Sequence, residues 1–219
     1  MPNKSLLIFL FFVLQFLNCS PKNRNSQRVR ELNTSDTFLR YIPKDIPLRA
    51  IRYYESQLGL DSLNNGFDSV KISIRYGAGL AGNDRMIILS NSNFEWTGTV
   101  LEIKHNYSAT TGEFESLSSV NKFVNPISGW ENFINKLFDQ NILTLPDCSA
   151  LPSFSNYTFA DPDAVDVQIA TKNAYRYYCY LNPYNFSDEY TEAKNILFIL
   201  RIIEKEFDLK PMWEYELKK

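Results

Sequence analysis

Two groups of side chains in this sequence have the composition of a catalytic site, and the first is built on a single histidine, His105. A Ser-His-Asp site would have to use it, yet the sequence contains no nucleophile elbow. His105 shares one face of a predicted strand with Leu101 and Ile103, which favours a hydrogen-bonded residue near a strand end. With one histidine, and with other roles predicted for the cysteines, no zinc or copper site and no cofactor is expected.

The second group is a run of acids, Asp161, Asp163 and Asp166, in the segment ADPDAVD. Their spacing does not match a calcium-binding EF-hand loop, and residues of this kind before a strand typically form turns. Paired carboxylates about 5 to 10 Å apart are also the catalytic groups of glycoside hydrolases. A small carboxylate-dependent hydrolase therefore stays open as an alternative function.

The chain is organised around the stretch VDVQIATKNAYRYYCYL, which runs from Val165 to Leu181. Its two runs of Val, Ile and Tyr predict antiparallel strands joined by a tight turn, with Lys172 and Asn173 as the loop. This loop sets the cross-strand partners on the apolar face, whereas a three-residue loop would exchange the two faces. The predicted pairs are Val165 with Tyr180, Val167 with Tyr178 and Ile169 with Arg176.

The second strand of this hairpin carries the densest aromatic group in the chain: Tyr175, Tyr177, Tyr178 and Tyr180. Alternation sends these side chains to both faces of the sheet, so about half of them are expected in the core. The other half is expected to be exposed or covered by loops. Exposed tyrosines supply large contact area at low entropic cost, which makes this group the predicted binding surface.

The amino terminus predicts export. An apolar run of about a dozen residues, from Leu6 to Leu17, is short of the roughly 20 that cross a bilayer and has the proportions of a signal peptide, assigned to residues 1–18. The segment Phe16 to Ser20 then resembles the lipobox of bacterial lipoproteins, in which the cysteine, here Cys19, is lipidated and begins the mature chain. Asn18 departs from the usual small residue, so an ordinary cleaved signal peptide is the alternative. Ser20 is not the Asp that retains such proteins at the inner membrane, which favours the outer membrane.

An exported chain meets an oxidising compartment, so the two remaining cysteines, Cys148 and Cys179, are predicted to form a disulfide. The bridge would close a loop of about 30 residues and stabilise the fold by roughly 3 to 4 kcal/mol. The alternative is two unrelated buried thiols.

Composition limits the remaining possibilities. The chain has 219 residues, 44% of them apolar and 22% charged, with a net charge of -2, which is typical of one globular domain. No basic field is present to attract nucleic acid. Residues 19–44 are polar and predict a tether between lipid and domain, and residues 45–219 form the domain.

Periodicity places the other elements. Helical spacing covers Ile46 to Leu58, and a stripe of apolar residues follows Ser128, which has capping-box spacing with Glu131. A third helix opens near Ser187, and 108–121 is expected to be a polar loop. Three strands precede that loop and the hairpin supplies two more; they are predicted at 67–76, 85–90 and 98–107. The predicted fold is α+β, a mostly antiparallel sheet of about five strands with helices packed on one face.

The series of GW, LPD, a Tyr-rich strand ending in NP and a long apolar helix spans about residues 125–207. It resembles small uncharacterised lipoproteins of the bacterial envelope, and the resemblance implies an envelope location and a fold type without an activity. Two functions are then expected to compete. One is a non-catalytic binding or interaction module that contacts an envelope protein or a glycan through the exposed tyrosines, and the other is the hydrolase.

Overall fold

A computed structural model describes residues 48–63, 69–77, 82–155, 162–172 and 174–213. The predicted signal peptide, the tether with Cys19, and the residues Asp161 and Asn173 lie outside these ranges. Within them, no helix is both long enough and apolar enough to span a membrane.

Six antiparallel strands form one sheet in the order β4-β3-β2-β1-β5-β6. The fold class is therefore α+β as predicted, but the sheet has six strands instead of about five. Part of the expected loop at 108–121 is the strand β4. Its residues 118–123 are exposed on both faces, between the buried Leu117 and Val124, so the strand lacks the alternation that identifies a half-buried strand. The strands are β1 (Val70–Gly77), β2 (Asp84–Ser92), β3 (Glu95–Tyr107), β4 (Phe114–Val124), β5 (Ala164–Thr171) and β6 (Tyr175–Leu181).

Helices cover both faces of the sheet, which corrects the expectation that they share one face. The described helices are α1 (Leu48–Gln57), α2 (Trp130–Asp139), the short α3 (Pro152–Ser155) and α4 (Thr191–Glu206). Helices α2 and α4 enclose the main core, whereas α1 and the segment after it pack on the opposite face against Met86, Leu101 and Ile103. This first helix is amphipathic, and periodicity alone does not say which face of a sheet it will cover.

The β5–β6 hairpin confirms the predicted register. Val165 pairs with Tyr180, Val167 with Tyr178 and Ile169 with Arg176. The pairing continues to Ala170 and Tyr175, and the Thr171 amide donates to the Ala174 carbonyl at 2.8 Å across the turn.

The main core lies between the sheet and the helices α2 and α4. Phe133, Ile134 and Leu137 on α2 are fully buried, and so are Ile196 and Leu197 on α4. Each such side chain stabilises the fold by roughly 1.5 to 3 kcal/mol through removal of apolar surface from water. The core therefore fixes the main-chain positions of all six strands.

The two predicted helix starts are wrong by one and by three residues, respectively. Helix α2 has Gly129 as its N-cap with no side-chain cap, so Ser128 and Glu131 form no capping box. The Ser128 hydroxyl donates instead to the Glu206 carboxylate at 2.9 Å. Helix α4 begins at Thr191, and the Ser187 hydroxyl donates to the Tyr184 carbonyl in the preceding turn.

Candidate functional site

All four hairpin tyrosines are buried, so the half that was expected to be exposed or covered by loops is covered and forms no exposed surface. Tyr178 and Tyr180 lie in the main core, where the Tyr178 hydroxyl donates to the Ile142 carbonyl at 2.6 Å. Tyr175 and Tyr177 are only 8% and 7% exposed because Leu63 and α1 cover their face of the sheet. A binding role for this group remains a prediction, and a ligand that used it would have to displace that cover.

Cys148 and Cys179 are free thiols in the structure, so the predicted bridge is not formed there. The two residues share a neighbourhood, because the Asp147 carboxylate accepts a hydrogen bond from the Cys179 amide at 2.8 Å. Burial raises the pKa of the Cys148 thiol to about 11, which keeps it protonated at neutral pH. The disulfide stays a prediction for the exported protein.

His105 lies near the end of β3 in a hydrogen-bonded group under α1. Its Nε2 atom is 2.7 Å from the Tyr54 hydroxyl and 3.2 Å from Asp84 Oδ2. The Tyr54 hydroxyl donates to the same Asp84 oxygen at 2.8 Å, so its own oxygen accepts from Nε2–H. The Tyr107 hydroxyl lies 3.5 Å from the other ring nitrogen, Nδ1.

Arg75 extends this group across the sheet. Its guanidinium donates to Asp84 Oδ2 at 3.0 Å, pairs with Asp166, and lies 4.3 Å from the centre of the Tyr54 ring. The Tyr177 hydroxyl donates to the other Asp166 oxygen at 2.5 Å. We call the six residues the polar network: Tyr54, Arg75, Asp84, His105, Asp166 and Tyr177.

Electrostatics keep the two phenols of the polar network neutral and its guanidinium charged near neutral pH. Burial raises the pKa values of Tyr54 and Tyr177 well above the usual value, so both phenols remain donors. Burial lowers the pKa of Arg75, but the carboxylates of Asp166 and Asp84 more than compensate and hold it above the usual value. Breaking such a pair leaves an uncompensated charge, at a cost of about 3 to 5 kcal/mol for a buried pair.

An exposed aromatic cluster sits on the polar network, and we call it the aromatic platform: Tyr53, Tyr107 and Phe114. Each of these side chains is 40 to 46% exposed. The Phe114 ring contacts the other two edge to face, with centroids 6.3 Å from Tyr53 and 5.9 Å from Tyr107, and lies 6.2 Å from His105. These contacts fix the rings and leave their outer faces in solvent.

Sequence reasoning missed the aromatic platform because its members come from three elements. Tyr53 lies beside the apolar stripe of α1, Tyr107 ends β3, and Phe114 begins the strand that was expected to be a loop. One available signal was the placement of an aromatic residue on each side of the polar segment 108–113, which is the arrangement of a hairpin turn.

Of the three acids of the predicted hydrolase, Asp161 lies outside the described residues, and the other two have separate side-chain partners. Asp166 is engaged by Arg75 and Tyr177, and the Asp163 carboxylate accepts from the Tyr184 hydroxyl at 2.9 Å. A cleft of about 560 Å³ lies elsewhere, on the carboxyl-terminal part of α4, and is lined by Arg201, Glu204 and Trp213 among others. Among the described residues, no group of three or more His, Cys, Asp or Glu side chains could hold a metal ion.

Searches of protein-family models, curated proteins and solved structures find no match to this chain.

Proposed function

We propose that this chain is an exported, lipid-anchored protein of the bacterial envelope, at the outer membrane, and that it acts as a non-catalytic binding module for a glycan. The observation that carries the binding role is the aromatic platform on its fixed polar base. The lipobox-like segment that ends in Cys19 supports the location, and the signal peptide of residues 1–18 and the tether of residues 19–44 belong to the same proposal.

The size of the aromatic platform favours a small ligand over a protein partner. Three rings that are each 40 to 46% exposed present roughly 250 Å² of aromatic surface. A specific protein interface buries about 800 Å² on each partner. The aromatic platform alone is therefore too small for a protein partner and is large enough for one or two sugar rings.

The chemistry of the aromatic platform favours a sugar in particular. The C–H groups on one face of a pyranose stack on an aromatic ring, while its hydroxyls need hydrogen-bonding partners at the edge. The turn that joins β3 to β4 carries such groups at Thr111 and Glu113, both exposed. The polar network keeps the rings in place beneath a ligand, which lowers the entropic cost of binding.

The alternative, a small carboxylate-dependent hydrolase, has less support. A glycoside hydrolase holds its two carboxyl groups on either side of the bond that breaks. In the described residues, Asp163 and Asp166 are each committed to other side chains. No geometric observation favours this function over the binding module.

Titration of the purified full chain with soluble fragments of an envelope polysaccharide tests the binding role, with isothermal calorimetry as the readout. Tyr107→Ala and Phe114→Ala are each expected to weaken binding about three- to tenfold, because a stacked ring contributes about 0.5 to 1.5 kcal/mol. Phe94→Ala is the matched control, since Phe94 is also exposed but lies at the β2–β3 turn, at the opposite end of these strands. Binding that survives both platform substitutions would remove the aromatic platform from the proposal, and failure of every fragment to bind would remove the glycan.

Replacement of Cys19 by Ser tests the anchor. The unsubstituted protein is expected to carry an acyl label and to enter the detergent phase, whereas Cys19→Ser is expected to do neither. A protein without an acyl label would instead have an ordinary cleaved signal peptide.

Thiol labelling tests the disulfide between Cys148 and Cys179. Protein taken from the envelope is denatured without reductant and treated with a thiol reagent. Labelling of both residues would contradict the bridge, and protection that is lost on reduction would support it.

A further inference from the structure

The strand β4 forms an edge of the sheet that no other described strand covers. It pairs with β3 on one side, and the sheet ends there. Every residue from Ser118 to Phe123 is exposed, including two apolar side chains, Val120 at 74% and Phe123 at 87%. An edge of this kind presents unpaired backbone amides and carbonyls as a template for another strand.

This edge is long and regular. The register between β3 and β4 runs without interruption from Asn106 opposite Ser116 to Gly98 opposite Val124, and the one irregularity lies beyond it, at Tyr107. Natural edge strands are commonly blocked by proline, by bulges or by several charges. The nine residues 116–124 contain no proline and one charged side chain, Lys122.

A second copy of the same strand can pair with this edge only in certain registers. When two antiparallel strands are related by a two-fold axis, the two sheets join with the same face on the same side. Two directly opposed residues must therefore have their side chains on the same face of the sheet. An axis at Val120 uses the whole regular segment. It sets Val120 opposite itself, Leu117 opposite Phe123 and Ser118 opposite Lys122 of the second copy.

The neighbouring registers pair these side chains poorly. An axis at Ser119 would set Phe123 opposite Glu115 and Val120 opposite Ser118. An axis at Asn121 would set Val120 opposite Lys122 and Phe123 opposite Ser119. Among the three registers, the axis at Val120 alone gives each exposed apolar side chain an apolar partner, and it opposes no like charges.

We propose that β4 pairs with β4 of a second copy about a two-fold axis at Val120, which joins the two sheets into one of twelve strands, six from each copy. The assembly closes at two copies, because the axis uses the open edge of both and the other edge, β6, is covered by the loop at Asp147. This pairing is independent of the proposed binding function. It would also place both aromatic platforms on the same side of the joined sheet.

Single cysteines on the edge of the full chain test the register. Directly opposed residues have Cα atoms about 4.5 to 5.5 Å apart, within the range for a disulfide. Val120→Cys is therefore expected to form an intermolecular disulfide under mild oxidation. Ser118→Cys is the matched control, because two copies of residue 118 would be offset by four residues, roughly 13 Å along the strands.

A mixture of two variants sharpens this test. Ser118→Cys and Lys122→Cys are expected to cross-link with each other and not with themselves. The unsubstituted chain under the same oxidation shows any background from Cys19, Cys148 and Cys179. Equal cross-linking of Val120→Cys and Ser118→Cys, or none above that background, would overturn the proposed pairing.

Light scattering measures the mass of the full, unsubstituted chain in detergent over a range of concentrations. This measurement tests whether the chain forms a dimer. A dimer is expected, and Val120→Lys, which opposes two like charges, is expected to weaken it at least tenfold. Thr97→Lys is the control, since Thr97 is exposed on β3 away from the edge. A monomer at every concentration, or a dimer that Val120→Lys leaves unchanged, would overturn the proposal.

Discussion

The two edge strands of the sheet differ in their exposure to solvent. The edge strand β6 is covered by the chain segment from Ile142 to Cys148, whereas the edge strand β4 has six consecutive exposed residues, 118–123. Among the described strands, each of the two is hydrogen-bonded to one neighbour. The comparison shows that this fold protects one edge with side-chain and loop contacts and leaves the other available.

Protection of β6 depends on a few specific hydrogen bonds. The Asp147 carboxylate accepts from the Cys179 amide at 2.8 Å and from the Ser149 amide at 3.0 Å. The Arg176 guanidinium donates to the Leu145 carbonyl, and the Tyr178 hydroxyl donates to the Ile142 carbonyl. The Asp147 carboxylate thus satisfies one backbone amide of the β6 edge, and the other two hydrogen bonds join β6 side chains to the segment that contains Ile142 and Leu145.

The open edge strand is held at the point where the chain leaves it. The Ile127 amide donates to the Glu206 carbonyl at 2.9 Å, and the Ser128 amide donates to the Glu206 carboxylate at 2.8 Å. Lys136 donates to the same carboxylate at 2.5 Å. These contacts hold the end of β4 against α4 without covering its edge.

Replacement of Asp147 by Ala is expected to have the largest effect on stability. Asp147 is buried, and its loss leaves the Cys179 and Ser149 amides without their acceptor. The expected decrease in the free energy of unfolding is about 2 to 4 kcal/mol, measured by urea denaturation.

Two controls belong to this experiment. Asp147→Asn keeps an acceptor of the same size and is expected to lose less stability than Asp147→Ala. Asn121→Ala, at an exposed position on β4, is expected to change stability by less than about 0.5 kcal/mol. Equal losses at Asn121 and Asp147 would show that the two edges do not differ.

Removal of one hydroxyl by Tyr178→Phe is expected to lower stability by about 2 kcal/mol. The Ile142 carbonyl would be left buried without its donor, and no other contact of the ring would change. Tyr107→Phe is the matched substitution on the exposed hairpin and is expected to be nearly neutral, because the Tyr107 side chain is 40% exposed. Thermal unfolding of both variants measures the difference, which would vanish if the β6 edge were not protected by this contact.

The same contrast explains what the sequence could predict. The register of the β5–β6 hairpin was predictable because its alternation and its turn residues agree, and both are local signals. Strand β4 was missed because its residues 118–123 are exposed on both faces and therefore show no alternation. The polar network was not predictable, since Arg75 and Asp166 are 91 positions apart and meet only once the order of strands is known.

The position of α1 determines whether the tyrosines on the outer face of the hairpin are buried or exposed. Periodicity predicted the helix and the tyrosine alternation correctly, yet neither pattern says that the helix covers Tyr175 and Tyr177. The exposed aromatic platform lies instead on α1, β3 and β4, near the edge of the sheet opposite to β6.

Glu206→Gln tests the contacts that hold the end of β4 against α4. The measured quantity is the free energy of unfolding as a function of pH. Burial raises the pKa of Glu206, but the hydrogen bonds from Lys136 and Ser128 outweigh it and hold the pKa below the usual value. The carboxylate therefore stabilises the fold above the unfolded-state pKa of about 4.3, and this contribution is lost as the pH falls through the lower folded value. The variant is expected to be about 1 kcal/mol less stable than the unsubstituted protein at pH 7, with a smaller difference below about pH 4.

Glu204→Gln, two positions earlier on α4, is the control with the opposite sign. Burial holds the pKa of Glu204 above the usual value, so its contribution decreases as the pH rises from the unfolded-state value toward the folded one. As the pH rises over this range, the free energy of unfolding of Glu204→Gln is expected to increase relative to that of the unsubstituted protein. Parallel pH profiles for the two variants would contradict the different roles of the two carboxylates.

The smallest effect on the monomer is expected from Val120→Thr. Because Val120 is largely exposed, its replacement removes little buried apolar surface, and Thr favours a strand as Val does. Unfolding at low protein concentration is expected to agree with the unsubstituted protein within about 0.5 kcal/mol. At high concentration the unsubstituted chain is expected to gain stability by self-association, whereas the variant gains less. A large loss at low concentration would mean that Val120 is covered within a single chain, and the contrast between the two edges would then fail.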